Sequence, residues 1–418
     1  MESNESNSST AISGFLSSPL FSLSVIVSAL GFFVDVYDLL LFSIIRKPSL
    51  ASIGLSESDL LTQGELLISI QMMGMLVGGI FFGILGDKKG RLKVLFGSIL
   101  LYSIANILNG LVYSLDQYII LRFLAGLGLA GELGAGVTLV SEQLPKDKRS
   151  LAAGFIAGFG VLGAVFAYFI SKFFDWRLCY FIGGGMGILL LIMRMRVAES
   201  QLFRTVKVST VVKGDFFMFF TDKKRFIKFL LCILIGLPVW YIIGILVTFS
   251  DQFGRYFGVN NIEPGKAVLF LYLAVAAGDY TVGYLSERLK SRKKTLYLFY
   301  IICIVFLILF FSQRNMGSTW FYVIIAGLGF GAGLNVIYLT TSIEQFGTNL
   351  RATATISISN FVRGSLPLLI ILFKSLREYT NDYVKGALIT GVIVMVIAIF
   401  SSFFLEETYG KDLDFLEE

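Results

Sequence analysis

Asp35 and Asp38 stand in the segment Gly31-Phe-Phe-Val-Asp35-Val-Tyr37-Asp38, inside an apolar run that carries no other charge. Three residues apart on a helix, they share one face. Two acids crowded together at low dielectric hold one proton more easily than two negative charges. The pair is therefore suited to taking up and releasing a proton. Arg122, Glu132, Asp279 and Arg363 are stranded in apolar sequence in the same way. At about 3 kcal/mol each on insertion scales, these charges represent roughly 15–20 kcal/mol of nominal cost, which argues for use. Arg122 must face a protein interior or snorkel outward. Glu132, between Gly131 and Gly134, has room beside it for a substrate or a partner helix.

A second cluster could recognise a ligand. Arg363 shares a helical face with Asn360, and Asn335 shares one with Tyr338. Trp240 and Tyr241 follow Pro238, where a proline can break a helix and free carbonyls. An interior arginine offers a planar fork of donors suited to a carboxylate. The competing reading is an Arg363–Asp279 ion pair joining two helices. The expected cavity lining is Tyr37, Trp240, Tyr241, Asp279, Asn335, Tyr338, Asn360 and Arg363, with Asp35, Asp38, Arg122 and Glu132 coupling a proton.

Other chemistry is excluded. The chain has no histidine, so histidine catalysis, histidine metal sites and histidine relays are impossible. Cys179, Cys232 and Cys303 sit singly in apolar runs and fit neither a disulfide framework nor a thiolate cluster. No nucleophile motif is present. The sequence predicts no enzyme, no cofactor, no metal and no nucleic-acid partner.

The elements that position these residues follow from composition. The 418 residues are 56% hydrophobic and 15% charged, too apolar to cover a water-soluble fold. Mean hydropathy is +0.78. Runs of about 20 apolar residues, each long enough to cross a bilayer, lie near 19–45, 64–85, 94–114, 118–144, 151–172, 177–197, 226–250, 266–286, 295–313, 320–346, 355–376 and 384–405. The expectation is an all-α membrane protein with twelve transmembrane helices. A serine- and asparagine-rich tail, 1–18, precedes a six-helix unit at 19–197. A basic linker at 198–225 leads to a second unit at 226–405 and a tail at 406–418. Of 35 Lys and Arg residues, 23 fall in loops that share a side with both termini and 10 in the opposite loops. That bias places both termini in the cytoplasm.

The two units resemble each other. Gly83-Ile-Leu-Gly-Asp87-Lys88 recurs as Gly283-Tyr-Leu-Ser-Glu287-Arg288, and Ala125-Gly-Leu-Gly128 as Ala326-Gly-Leu-Gly329. Glu142-Gln143-Leu144 with Arg149 recurs as Glu344-Gln345-Phe346 with Arg351. Three matches in order, at offsets of 200, 201 and 202, make a six-plus-six duplication. Two similar bundles can rock about a midplane site. Glu142, Lys146, Arg149, Glu344 and Arg351 read as an interhelix charge network at the cytoplasmic ends.

The segment Gly83-x-Leu-Gly86-Asp87-Lys88-Lys89-Gly90-Arg91 resembles the loop 2–3 signature of the major facilitator superfamily, and Arg122-Phe-Leu-Ala-Gly126-Leu-Gly128 resembles its fourth-helix motif. Asp35-x-Tyr37-Asp38, Gly131-Glu132 and Glu344-Gln-Phe-Gly-Thr-Asn-Leu-Arg351 resemble the metabolite:proton symporter branch and related phagosomal nutrient transporters of intracellular bacteria. Glu199-Ser200 and Glu407-Thr408-Tyr-Gly410 echo sugar porters, although the prolines expected before Glu199 and Glu407 are absent. The resemblance implies the major facilitator fold of two pseudo-symmetric six-helix bundles. It also implies gating roles for Asp87, Arg91, Glu142, Arg149, Glu287, Glu344 and Arg351. The function it implies is proton-coupled import of a small polar metabolite, an amino acid or organic acid, by alternating access. The expected setting is the bacterial inner membrane, as a monomer. Export or antiport, and a transport-dead sensor docking through the basic linker, are the alternatives.

Overall fold

The computed structural model describes residues 22–145, 148–195, 214–314 and 316–417. The tail 1–18, Lys146, the Glu199-Ser200 motif and linker residues 198–213 lie outside them. Twelve helices are long and apolar enough to span a membrane. They are α1 (Leu23–Ser52), α2 (Leu66–Lys89), α3 (Arg91–Asn109), α4 (Leu115–Gln143), α5 (Arg149–Phe173) and α6 (Trp176–Arg194). After the linker come α7 (Lys223–Val247), α8 (Pro264–Arg288), α9 (Arg292–Phe311), α10 (Ser318–Gln345), α11 (Arg351–Thr380) and α12 (Tyr383–Phe404). Every predicted run corresponds to one of them. The first predicted run stops short because Arg46, Lys47 and Pro48 read as a loop, whereas α1 continues through them to Ser52.

Several helices break near their middles, at matching places in the two halves. α4 is interrupted between Leu129 and Glu132, and α10 between Ala332 and Asn335. α5 breaks at Val161 and α11 at Ser365. In α7, Pro238 opens a new turn and Ile242–Val247 is a π-helix. Helices interrupted at mid-membrane present backbone groups and half-helix termini to a central site, and π-turns recur at functional positions.

The two bundles meet most closely at two crossings. Along α2, Gly79, Gly83 and Gly86 let α11 approach: a Cβ on Gly83 would lie 2.9 Å from the Thr353 Cα, and one on Gly86 2.9 Å from the Ala352 Cβ. Along α5, a Cβ on Gly154 would lie 2.7 Å from the Asp279 carbonyl oxygen of α8. Small residues here buy backbone-to-backbone contact, the means by which helices associate where lipid supplies no hydrophobic drive. Both crossings lie toward the face where α1 begins and α12 ends, called the near face below. The opposite face is the far face.

Candidate functional site

Between α1, α2, α7 and α11 lies a cavity of about 360 Å³. Its lining reaches the far ends of these helices at Arg46, Leu66, Thr248 and Lys374, and its inner end at Trp240. A smaller recess of about 30 Å³ continues inward, sharing Leu39, Trp240 and Ile243 and adding Tyr272, Asn335 and Arg363. Trp240 stands where the α7 break and π-turn begin, so the local irregularity places an aromatic wall at the junction. Among the described residues, Arg363 is the only charged side chain in the recess.

Behind the recess, Arg363 Nη1 lies 3.7 Å from Asp35 Oδ2. This contact joins α11 of the second bundle to α1 of the first. The Arg363 guanidinium also sits over the Phe32 ring, 5.8 Å from its centroid. Asp35 accepts no hydrogen bond among the described residues. The Arg363–Asp279 pair allowed by the sequence does not form, because Asp279 lies on α8 against α5 while Arg363 turns to α1.

Asp38, one turn further along α1, is fully buried. Arg122 is the cation acting on its charge. Arg122 does not snorkel: it is fully buried, with its guanidinium 5.1 Å from the centroid of Phe42 and Nη1 donating to the Tyr180 hydroxyl at 3.1 Å. Tyr180 and Tyr118 join through their hydroxyls at 2.7 Å, and Tyr118 donates to Ser49 Oγ at 3.3 Å. The aromatic cage, unlike the lipid headgroups, holds the cation with cation–π contacts inside the bundle.

Glu132 begins the second half of α4 and forms a bidentate ion pair with Arg194 of α6. It faces the first bundle rather than the cavity, because the guanidinium and the half-helix N-terminus both stabilise a carboxylate there. Of the other expected lining residues, Tyr37 donates to the Cys179 carbonyl at 2.9 Å and Tyr241 to the Ala387 carbonyl at 2.7 Å. Asn360 donates to the Ala130 and Ile356 carbonyls, both at 2.8 Å. Tyr338 packs beside Gly236. In this conformation Tyr37, Tyr241, Asp279, Tyr338 and Asn360 line neither the cavity nor the recess, which Trp240, Asn335 and Arg363 do. A hydroxyl that satisfies a buried carbonyl in its own bundle is not offered to the cavity.

All seven expected gating residues gather on the near face. Asp87 accepts hydrogen bonds from the backbone N–H groups of Ala352 (3.1 Å) and Thr353 (2.8 Å), so an acid of the first bundle caps α11 of the second. Arg91 lies 3.3 Å from Asp87 and donates to Glu142 at 2.9 Å and to the Thr348 carbonyl at 3.0 Å. Arg351 reaches the same Glu142 oxygen at 3.0 Å. The duplicate mirrors this: Glu287 accepts from the Ser150 N–H of α5 at 3.2 Å, and Arg292 bridges Glu287 (3.0 Å) and Glu344 (2.7 Å). Arg149 donates to the Ser141 carbonyl at 3.2 Å.

Sequence reasoning missed Arg292, Arg194 and the C-terminal segment. The offset that relates Asp87 to Glu287 carries Arg91 to within a residue of Arg292, a usable signal. The segment after α12 is a strap under the near face. Thr348 donates to the Phe415 carbonyl at 2.8 Å, and Glu417 donates its N–H to Asn349 at 2.8 Å. Arg149 donates to the Lys411 carbonyl at 3.1 Å and Arg351 to that of Leu413. One strap thus engages an arginine from each bundle. At its root, burial raises the affinity of Glu407 for a proton, yet hydrogen bonds from Ser291 and the Arg292 and Tyr409 N–H groups hold the carboxyl below its ordinary range.

Two six-helix bundles, packed shut at one face and parted around a cavity at the other, define a multi-pass membrane transporter rather than an enzyme. The family model of the Major Facilitator Superfamily matches residues 7–371, and the chain belongs to that family. It is 25% identical to a putative metabolite transport protein of Haemophilus influenzae, over 94% of this chain and 97% of that one. It is 26% identical to the sialic acid transporter NanX of Escherichia coli, over 92% of each. A cis,cis-muconate transport protein of Acinetobacter baylyi is 28% identical, over 81% of this chain and 83% of that one. Among solved structures, the proton:xylose symporter XylE bound to 6-bromo-6-deoxy-D-glucose superposes with a TM-score of 0.74 at 17% identity, covering 95% of this chain and 98% of that one. The last likeness concerns the fold.

Proposed function

We propose that this transporter imports a small carboxylate-bearing metabolite, an amino acid or organic acid, together with protons across a bacterial inner membrane. The excess of basic residues in near-face loops assigns that face to the cytoplasm, so the cavity opens outward. The observation that carries the reading is the Asp35–Arg363 contact across the two bundles, at the inner end of the cavity. Arg363 can pair with Asp35 or with a substrate carboxylate. A proton on Asp35 removes its claim on the arginine and frees the guanidinium for substrate. Asp38 provides a second carboxylate whose charge Arg122 senses inside the first bundle. Sialic acid and muconate, the substrates named for two relatives, are both carboxylates, which fits an arginine at the site.

Substrate and proton together would bind from outside, and rocking of the bundles would part the crossings of α2 with α11 and α5 with α8. Asp87, Arg91, Glu142, Arg149, Glu287, Glu344 and Arg351 would act as the cytoplasmic latch, their cross-bundle bonds breaking as that face opens. The chain is expected to work as a monomer. The test is uptake of a panel of radiolabelled carboxylates by proteoliposomes under an inward proton gradient. At least one should accumulate and be released by a protonophore. Outward-only flux under either gradient direction, or uptake of neutral sugars alone, would refute the reading.

A further inference from the structure

The duplication makes the two bundle crossings comparable position by position. On α2, Gly79, Gly83 and Asp87 correspond at an offset of 200 to Asp279, Gly283 and Glu287 of α8. At the first crossing the glycine side belongs to α2, and Gly79 accommodates Asn360 of α11, whose amide nitrogen donates to two carbonyls. At the second crossing the polar side chain has changed helices. Asp279 of α8 faces Gly158 of α5, where a Cβ would lie 3.6 Å from the aspartate Cβ. The neutral amide of one crossing is thus a carboxyl group in the other.

Asp279 is fully buried, and neither carboxyl oxygen has a hydrogen-bond partner among the described residues. It lines neither the cavity nor the recess. Its third wall is α10, where a Cβ on Gly333 would lie 2.7 Å from the Asp279 nitrogen. The titratable groups on the packed elements are Arg149, Tyr168 and Lys172 on α5, Tyr322, Tyr338 and Glu344 on α10, and Arg292, Lys293, Lys294, Tyr297, Tyr300 and Cys303 on α9. Tyr272 and Glu287 share α8 with it, and Arg363 of α11 acts on Tyr272 and Tyr338. Arg149, Arg292, Glu287 and Glu344 are engaged in the near-face network. No ion pair to Asp279 forms among the described residues, so a charge there would be uncompensated while the helices remain packed.

We propose that Asp279 is the proton-sensitive element of the cytoplasmic gate: the crossing of α5 with α8 closes around the neutral acid, and opening lets that acid lose its proton to the cytoplasm. The inference rests on the alternating-access reading above and adds a residue that neither holds substrate nor pairs with Arg363. The sign follows from linkage. A group that is neutral in the closed state and ionised in the open one releases a proton on opening, so raising the pH favours the open gate. One linked proton changes the closed-to-open ratio by up to about tenfold per pH unit.

The experiment reads the gate directly, with no substrate and no gradient. Nitroxides are placed at Lys89→Cys and Arg288→Cys, exposed near-face ends of α2 and α8, in a background with Cys179, Cys232 and Cys303 replaced by Ser. Their distance distribution is measured by electron–electron resonance from about pH 5 to about pH 8, the span over which one linked carboxyl would show its slope. The long-distance fraction should rise with pH in the parent. It should be flat in Asp279→Asn, which keeps the size of the neutral acid, and in the smaller Asp279→Ser. Glu263→Gln, at an exposed acid just before the far end of α8, should keep the response. A parent without pH response, or an undiminished response in both Asp279 variants, overturns the proposal. Flux is scored separately: a protein that accumulates no carboxylate yet loses its gate response in Asp279→Asn refutes the symport reading and leaves the gate acid standing.

Discussion

Reconstituted Asp35→Asn protein is expected to exchange labelled for unlabelled substrate at a rate near the parent's while failing to concentrate it under an inward proton gradient. One proton per substrate working against a gradient of one pH unit stores about 1.4 kcal/mol, enough for about tenfold accumulation. The variant's ratio should therefore fall from about tenfold to one. The physical reason is the cross-bundle contact of Asp35 with Arg363. An amide cannot bind or release the proton, and it leaves Arg363 permanently available to a carboxylate. The same variant should consequently bind substrate with an affinity that no longer weakens as pH rises. Asp38→Asn should also lose driven accumulation, but it should keep the pH-dependent affinity, because Asp38 faces Arg122 and not Arg363. Unchanged uphill uptake in both variants would remove the pair from the coupling mechanism.

Arg363→Gln carries the second large effect. Truncating one partner of a buried charged contact costs about 2–5 kcal/mol, which weakens carboxylate binding about 30-fold or more. Arg363→Lys should recover little of it, since an ammonium is a point charge and lacks the planar fork that meets a carboxylate bidentately. Loss of the arginine also strands Asp35 beside an apolar recess, so instability must be separated from lost recognition. The double variant Arg363→Gln/Asp35→Asn removes the stranded charge. It should regain thermal stability and still fail to bind. Binding restored in the double variant would mean that Arg363 only neutralises Asp35. Titration of substrate by isothermal calorimetry, beside thermal unfolding without ligand, distinguishes the two outcomes.

The helices were legible because long apolar runs leave little choice of structure in a bilayer. The duplication was legible because near-face chemistry must be repeated in each half, so Asp87 and Glu287 announce each other. Each acid does cap a helix of the opposite bundle, Asp87 on α11 and Glu287 on α5. The partners of individual buried charges were not legible. Helical spacing states which residues share a face but not which neighbour that face meets. Glu132 therefore read as a proton-coupling acid with room beside it for a substrate or a partner helix, whereas Arg194, indistinguishable in sequence from the basic linker beside it, reaches back to pair with it. Arg363 presented two possible acids, and the fold set its guanidinium beside Asp35 of α1, the one in the other bundle. The strap formed by residues 408–417 was hidden for another reason: it is held largely through backbone carbonyls and N–H groups, which any polar sequence possesses.

The central claim is that substrate and proton cross together, and the most direct measurement is proton entry itself. Proteoliposomes carrying a trapped pH indicator, with no imposed gradient, receive an outward-facing pulse of a carboxylate that the protein binds. The account predicts acidification of the lumen that follows substrate entry in time and amount and disappears in Asp35→Asn. Substrate entry with no change in lumenal pH would contradict it.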